Sequence, residues 1–201
     1  MQRLQKLVDT YSALKLAERG GVLATVVNAR GDLERHLGSR MLLLEDGTLM
    51  GTLGDDDLTA EVAKRIAGFA GTGEPMTVSF TRGAPAIAPR SGPSPVMEVL
   101  VEPLPSGGRS LHLVFIAECL QAGEGVIASV VRVDGEVRAS IGSHLLLSLS
   151  GTIEEDIRNP VLTAAITKDC IGVLRSRATI IREYRFTEGI VEVLIEFITA
   201  S

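Results

Sequence analysis

Apolar positions along the chain follow two periods, and the two alternate twice in the same order. Near the N-terminus Leu4, Leu7, Val8, Tyr11 and Leu14 lie at helical spacing with Lys and Arg among them, predicting an amphipathic helix over Leu4–Glu18 that ends at Gly20-Gly21. The near-continuous apolar run GVLATVV from Gly21 predicts a strand. Further along, a second helix is predicted at about Leu113–Gln121, closing around Gly123, and a second strand opens with GVIASVV at Gly125. The Asp134-Gly135 pair favours a tight turn, so Gly125–Val133 and Val137–Ser148 are expected to pair as an antiparallel hairpin, with a similar hairpin around Gly31. Turns at Gly47 and Gly151 lead to short strands, then to helices starting near Asp55 and Asn159, then to two late strands in each half. Asn159-Pro160 is the clearest helix start, a capping side chain followed by proline at the first helical position.

The alternation is an internal repeat. Gly21–Lys64 aligns without a gap to Gly125–Lys168 at an offset of 125 − 21 = 104, and 16 of the 44 pairs are identical. The end repeats as well: Met97–Glu102 (MEVLVE) matches Val191–Glu196 (VEVLIE) at 191 − 97 = 94, so the second copy is shorter by 104 − 94 = 10 residues. The difference falls on the Pro-, Gly- and Ser-rich stretch Thr81–Pro95, expected to be a surface loop of copy one. The expected fold class is α+β: two pseudo-symmetric repeats, each a small, mainly antiparallel or mixed sheet with flanking helices. Their boundaries fall at 1–107 and 108–201, with the junction near Pro103–Arg109. The two are expected to pack about a pseudo-twofold axis as one globular unit, neither half being stable alone.

Composition narrows the function classes. With 45% hydrophobic residues and a formal charge of −5 spread over interspersed charges, the chain is globular and offers no basic stripe to a nucleic acid. Aromatic residues are only 3% and Trp is absent, removing base-stacking platforms. No apolar run approaches the roughly 18 residues of a membrane span, and the N-terminal pattern lacks the apolar core of a signal peptide, so a cytoplasmic protein is expected. Cys119 and Cys170 are the only thiols; Cys119 falls in an apolar helical stretch and reads as a buried structural cysteine, and neither a disulfide framework nor a thiolate metal site is indicated.

The run ATVVNARGDLERHLGSRMLLLEDGTLMGTLGDDDLTAE, with MEVLVEPL downstream, resembles the N-terminal domain of the xanthine dehydrogenase accessory factor (XdhC/CoxI) family over most of copy one, and copy two is a more distant version. The resemblance implies a role in maturing molybdenum hydroxylases: binding molybdenum cofactor and partnering a molybdoenzyme subunit. The family's distinctive polar motifs are altered here. Gly31-Asp32-Leu33-Glu34-Arg35 stands at the GSSPR place, Gly54-Asp55-Asp56-Asp57 at the GGGC place, and Ser94-Pro95-Val96-Met97 before the final strand in place of Cys-Gly-Gly. Copy two has Glu136-Val137-Arg138-Ala139 and Arg158-Asn159-Pro160-Val161 at the first two places, and it occupies the space of the family's C-terminal nucleotide-binding-like domain. The expectation is a non-catalytic accessory or binding protein with lost or altered cofactor binding.

The candidate ligand-binding residues follow from these places: Arg35, Ser39, Gly54, Asp55, Asp56 and Asp57. Three aspartates at a helix start can cap its N–H groups while repelling an anion, or supply oxygen ligands to a divalent cation. The second option defines the alternative function, a metal-dependent hydrolase; a purely structural interaction scaffold is the third, and self-association is the alternative to a molybdoenzyme subunit as partner. Arg35 survives from the first motif and suits an anion; Arg40 and Arg90 are weaker candidates, read as solvated surface residues. Ser39 and its equivalent Ser143 read as turn hydroxyls. Glu98 with Glu102 and Glu192 with Glu196 share strand faces and read as a solvated face opposite Met97, Val99 and Val101. His36, His112 and His144 are scattered in sequence, with no zinc-site spacing.

Overall fold

The computed structural model describes residues 7–9, 20–54, 56–69, 73–80, 97–104, 106 and 110–199. The predicted loop Thr81–Pro95, most of the first predicted helix and Asp55 lie outside the described residues, although Leu7–Asp9 are helical. The chain divides into two compact units, Gln2–Arg109 and Ser110–Ser201.

In the first unit, strands β1 (Gly21–Ala29), β2 (Arg40–Leu44), β3 (Leu49–Gly51), β4 (Met76–Phe80) and β5 (Met97–Leu104) form an antiparallel sheet in the order β3-β2-β1-β5-β4. Helix α1 (Asp56–Ile66) packs on one face. There Val62 and Ile66 join Val22, Ala24, Val26, Met41, Leu43, Met97, Val99 and Val101 in one buried cluster. The second unit repeats this with helix α2 (Leu111–Ala122), strands β6 (Glu124–Gly135), β7 (His144–Ser148) and β8 (Ile153–Glu155), helix α3 (Pro160–Ser176), and strands β9 (Ile180–Phe186) and β10 (Gly189–Thr199), in sheet order β8-β7-β6-β10-β9. Leu162, Ile166, Cys170 and Val173 of α3 pack on Val126, Ala128, Val130, Val191, Val193 and Ile195. The architecture is therefore α+β, two similar halves each built on a five-stranded antiparallel sheet.

Likeness between the halves reaches individual hydrogen bonds. Val26 N–H donates to Ser39 O and Gly38 N–H to Val26 O, both at 2.9 Å; 104 residues on, Val130 donates to Ser143 O and Gly142 to Val130 O, also at 2.9 Å. Register shifts between Val26 and Asn28 in β1, and between Glu192 and Val193 of β10 opposite Val130 and Arg132, place a bulge at the same point of each central strand. One extra residue turns the following side chain to the other sheet face. Asn28 thereby meets Glu98, donating at 2.9 Å, and Arg132 meets Glu192 in an ion pair.

Two expectations fail here for physical reasons. The Asp134-Gly135 pair does not turn a hairpin into β7. Gly135 instead ends β6 against the Thr187-Glu188 turn of the β9–β10 hairpin, where Glu136 N–H bonds Glu188 O at 2.9 Å and a Cβ on Gly135 would stand 2.2 Å from that oxygen. Residues 136–143 make an irregular connection, and β7 pairs with β6 only from Ser129↔His144 to Gly125↔Ser148. The glutamate faces are not solvated either: Glu102, Glu192 and Glu196 are 6%, 8% and 3% exposed. The face they share also carries Leu23, Leu42 and Leu100 in one sheet and Ile127, Leu146 and Leu194 in the other, all buried, so each sheet is covered on both sides. That explains the near-continuous apolar runs of β1 and β6, where a half-solvated strand would alternate.

Candidate functional site

Both halves bring their two altered motif places together at the start of the sheet-packed helix. In the first half, Gly31–His36 form a 3₁₀ turn after β1, with Leu33 buried as its anchor. The second segment, Leu53-Gly54, leads into α1 and is held by two threonines: Leu53 N–H donates to Thr59 Oγ1 at 3.0 Å, and Gly54 N–H to Thr52 Oγ1 at 3.1 Å. The segments touch through His36 and Gly54. A Cβ on Gly54 would lie 2.3 Å from the His36 ring, and the Gly54 φ of +113° is itself a conformation that side chains avoid. Glycine at this point is thus required twice over.

The predicted site residues take places of unequal promise. Arg35 is exposed on the 3₁₀ turn, its Nε donating to His36 Nε2 at 3.1 Å. Ser39 closes that turn through its backbone, donating to His36 O at 2.8 Å, in keeping with a turn residue. Asp56 and Asp57 are exposed in the first turn of α1, where carboxylates are favoured by the positive helix end. Arg40 is not a surface residue: it is buried in β2, and Nη1 donates to Gly38 O at 2.9 Å.

In the second half the same two places form an open cleft of about 350 Å³, lined by Glu136, Val137, Arg138, Arg158, Asn159, Pro160, Val161, Phe186 and Glu188. The 136–138 stretch comes from the first motif place, 158–161 from the second; Phe186 and Glu188 come from the hairpin that Gly135 abuts. At its floor α3 begins as predicted, the Asn159 side chain accepting from Leu162 N–H at 3.1 Å with Pro160 at the first helical position. The Arg138 and Arg158 side chains are exposed at the cleft, and Glu136 and Glu188 share its lining. Sequence reasoning placed its bets on copy one and missed this cleft. The signal was present, because the motif places had been aligned onto Glu136–Ala139 and Arg158–Val161, but the cleft depends on Phe186 and Glu188, which arrive from a late hairpin.

Neither thiol serves the site. Cys119 and Cys170 are buried on helices α2 and α3. Burial, with Glu118 nearby, pushes the Cys119 thiol up to about 11; burial, with Asp169, pushes Cys170 up to about 12. Two histidines that looked scattered do meet. The rings of His112 on α2 and His144 at the start of β7 lie 4.3 Å apart, centroid to centroid, tilted by 35°. Among the described residues no helix is long and apolar enough to cross a membrane.

Comparison with known proteins agrees with the fold and with the first half's sequence. Residues 14–81 match the XdhC and CoxI family, so the chain resembles that family from the end of the first predicted helix through β4. A solved structure described as a xanthine dehydrogenase from Bacillus halodurans has a similar fold, with a TM-score of 0.59 at 17% sequence identity. The alignment covers 96% of this chain and 52% of that one, so this chain spans about half of its length. No curated protein matches at a significant level.

Proposed function

We propose that the protein is a non-catalytic accessory or binding protein of the XdhC/CoxI kind, acting with a molybdoenzyme, and that its ligand site has passed to the cleft of the second half. The observation that carries this reading is the cleft itself. Both altered motif places build it, and its volume of about 350 Å³ falls within the range of small-molecule sites, roughly 300–1,000 Å³. Arg138 and Arg158 supply guanidinium donors suited to a phosphate, and Glu136 and Glu188 supply acceptors suited to the N–H edge of an aminopyrimidine ring. A phosphorylated pterin presents both groups, which is the chemistry of the organic part of molybdenum cofactor. The residues fit that part and not the metal, since neither of the chain's two thiols lines the cleft.

The hydrolase reading finds less support. Asp56 and Asp57 stand exposed at a helix end that a carboxylate stabilises without any cation.

Calorimetric titration of the full chain with a phosphorylated pterin, its unphosphorylated form and inorganic phosphate tests the proposal. The phosphorylated pterin should bind best, and Arg138→Gln with Arg158→Gln should weaken it at least about tenfold, the loss of about 1.4 kcal/mol that a charged hydrogen bond supplies. Asp56→Asn with Asp57→Asn should leave binding unchanged. No binding, or equal binding by the arginine variants, overturns the assignment.

A further inference from the structure

We propose that His112 and His144 form a binding site for a divalent first-row transition ion of the imidazole-preferring kind, Zn²⁺ or Co²⁺, independent of the cleft. The two imidazoles come from different elements of the second half, and one ring nitrogen of each lies within 4.8 Å of the other. Two nitrogens on one tetrahedral zinc ion, each at about 2.0–2.1 Å, lie about 3.4 Å apart, so the two nitrogens must close by at most about 1.4 Å to complete the geometry.

Each ring is held from its Nδ1 side by a serine hydroxyl. Ser110 Oγ lies 3.1 Å from His112 Nδ1 and Ser129 Oγ lies 3.0 Å from His144 Nδ1. In the tautomer whose Nδ1–H donates to that hydroxyl, Nε2 carries the lone pair, the usual arrangement behind a metal-bound histidine. The backbone holds both residues firmly. Ser110 also caps α2 by accepting from Leu113 N–H at 3.4 Å, so His112 sits in a fixed first turn. His144 is pinned at the start of β7, where its N–H donates to Asp156 Oδ1 at 2.6 Å and its carbonyl accepts from Asp156 N–H at 3.1 Å. His112 is 6% exposed. Two protein ligands leave coordination positions open, so the ion can also take water or a donor atom of a further ligand.

The first half has no counterpart. Arg40 stands at the position of His144 (40 + 104 = 144), and an arginine cannot ligate a cation.

The metal-stripped full chain is titrated with Zn²⁺ by calorimetry and with Co²⁺ by visible absorption. One ion per chain is expected, with affinity falling at least about 100-fold in His112→Gln and in His144→Gln and about tenfold in Ser129→Ala. His36→Gln should bind as the parent chain does. Circular dichroism shows whether each variant folds. Should His112→Gln not fold, X-ray absorption of the zinc-loaded parent chain decides by its imidazole scattering, two rings being expected. Absence of stoichiometric binding, unchanged affinity in folded His144→Gln, or no imidazole around the zinc overturns the site.

Discussion

The same two chain segments meet in both halves, yet they close a gap in one and leave a cleft in the other. In the first half the His36 ring fills the junction and Gly54 yields the space. At the equivalent points of the second half stand Ser140 (36 + 104) and Arg158 (54 + 104). The ring is gone, and the residue that had to be glycine carries a long cation. Arg177 is the only non-glycine residue with positive φ among the described residues, so the backbone at Arg158 has also left the conformation of Gly54. These changes are coupled physically, because a side chain at position 54 is excluded by both the ring and the backbone, whereas at 158 neither restriction applies. One framework thus supports a closed, acid-fronted junction and an open one lined by two arginines.

The largest effect is expected where the closed junction is tightest. Gly54→Ala should destabilise the first half by about 1–3 kcal/mol, combining left-handed backbone strain with displacement of His36. His36→Ala in the same chain should restore only the part due to the ring. Urea unfolding of the parent chain and the two variants separates the two parts, and a neutral Gly54→Ala would show that the junction is not closed as described. A smaller effect tests how each helix start is held. Asn159→Ala should cost about 1 kcal/mol, the worth of a side-chain cap. Asp57→Asn in α1 should cost less, about 0.3–1 kcal/mol, because it removes only a charge near the helix end, and it should cost less still at high salt. Equal losses would mean that the two starts are built alike.

How far the sequence foretold this arrangement varied with the range of the interaction. Local signals read true: the Asn159-Pro160 start of α3, the turns at Gly47 and Gly151, the helix closing at Gly123 and the apolar strands β1 and β6 are each set by a few neighbouring residues. Errors arose where a local signal was claimed by a distant partner. Asp134-Gly135 has the chemistry of a hairpin turn, but its glycine serves close approach to Glu188 and Gly189. Glu102 and Glu196 alternate with core residues as solvated glutamates would, and nothing local reveals that the second sheet face is also covered. The cleft and the histidine pair share this origin, since both join residues more than 20 positions apart. The repeat offered one long-range clue, by aligning the two motif places in each half.

A pH-dependent effect concerns the core of the second half, where Ile66 of α1 and Cys170 of α3 hold the same position (66 + 104 = 170) and both are fully buried. Only the second half places a titratable group there. Burial, together with Asp169, raises the Cys170 thiol from 9.0 to about 12. Between those values the unfolded chain has given up the thiol proton and the folded chain has kept it, so the folded state binds more protons and stability must fall as pH rises. Below pH 9 both states hold the proton and the contribution is fully present. Cys170→Ala removes this linkage at the cost of a small cavity. The stability gap between parent and variant should therefore be constant from pH 7 to about 9 and narrow at more alkaline pH, followed by urea midpoints. Cys119, raised to about 11, remains in both proteins and cancels in the difference. A gap that stays constant across the alkaline range would mean that the Cys170 thiol ionises in the folded protein as readily as in the unfolded chain, and that the second core position is more open than its Ile66 counterpart.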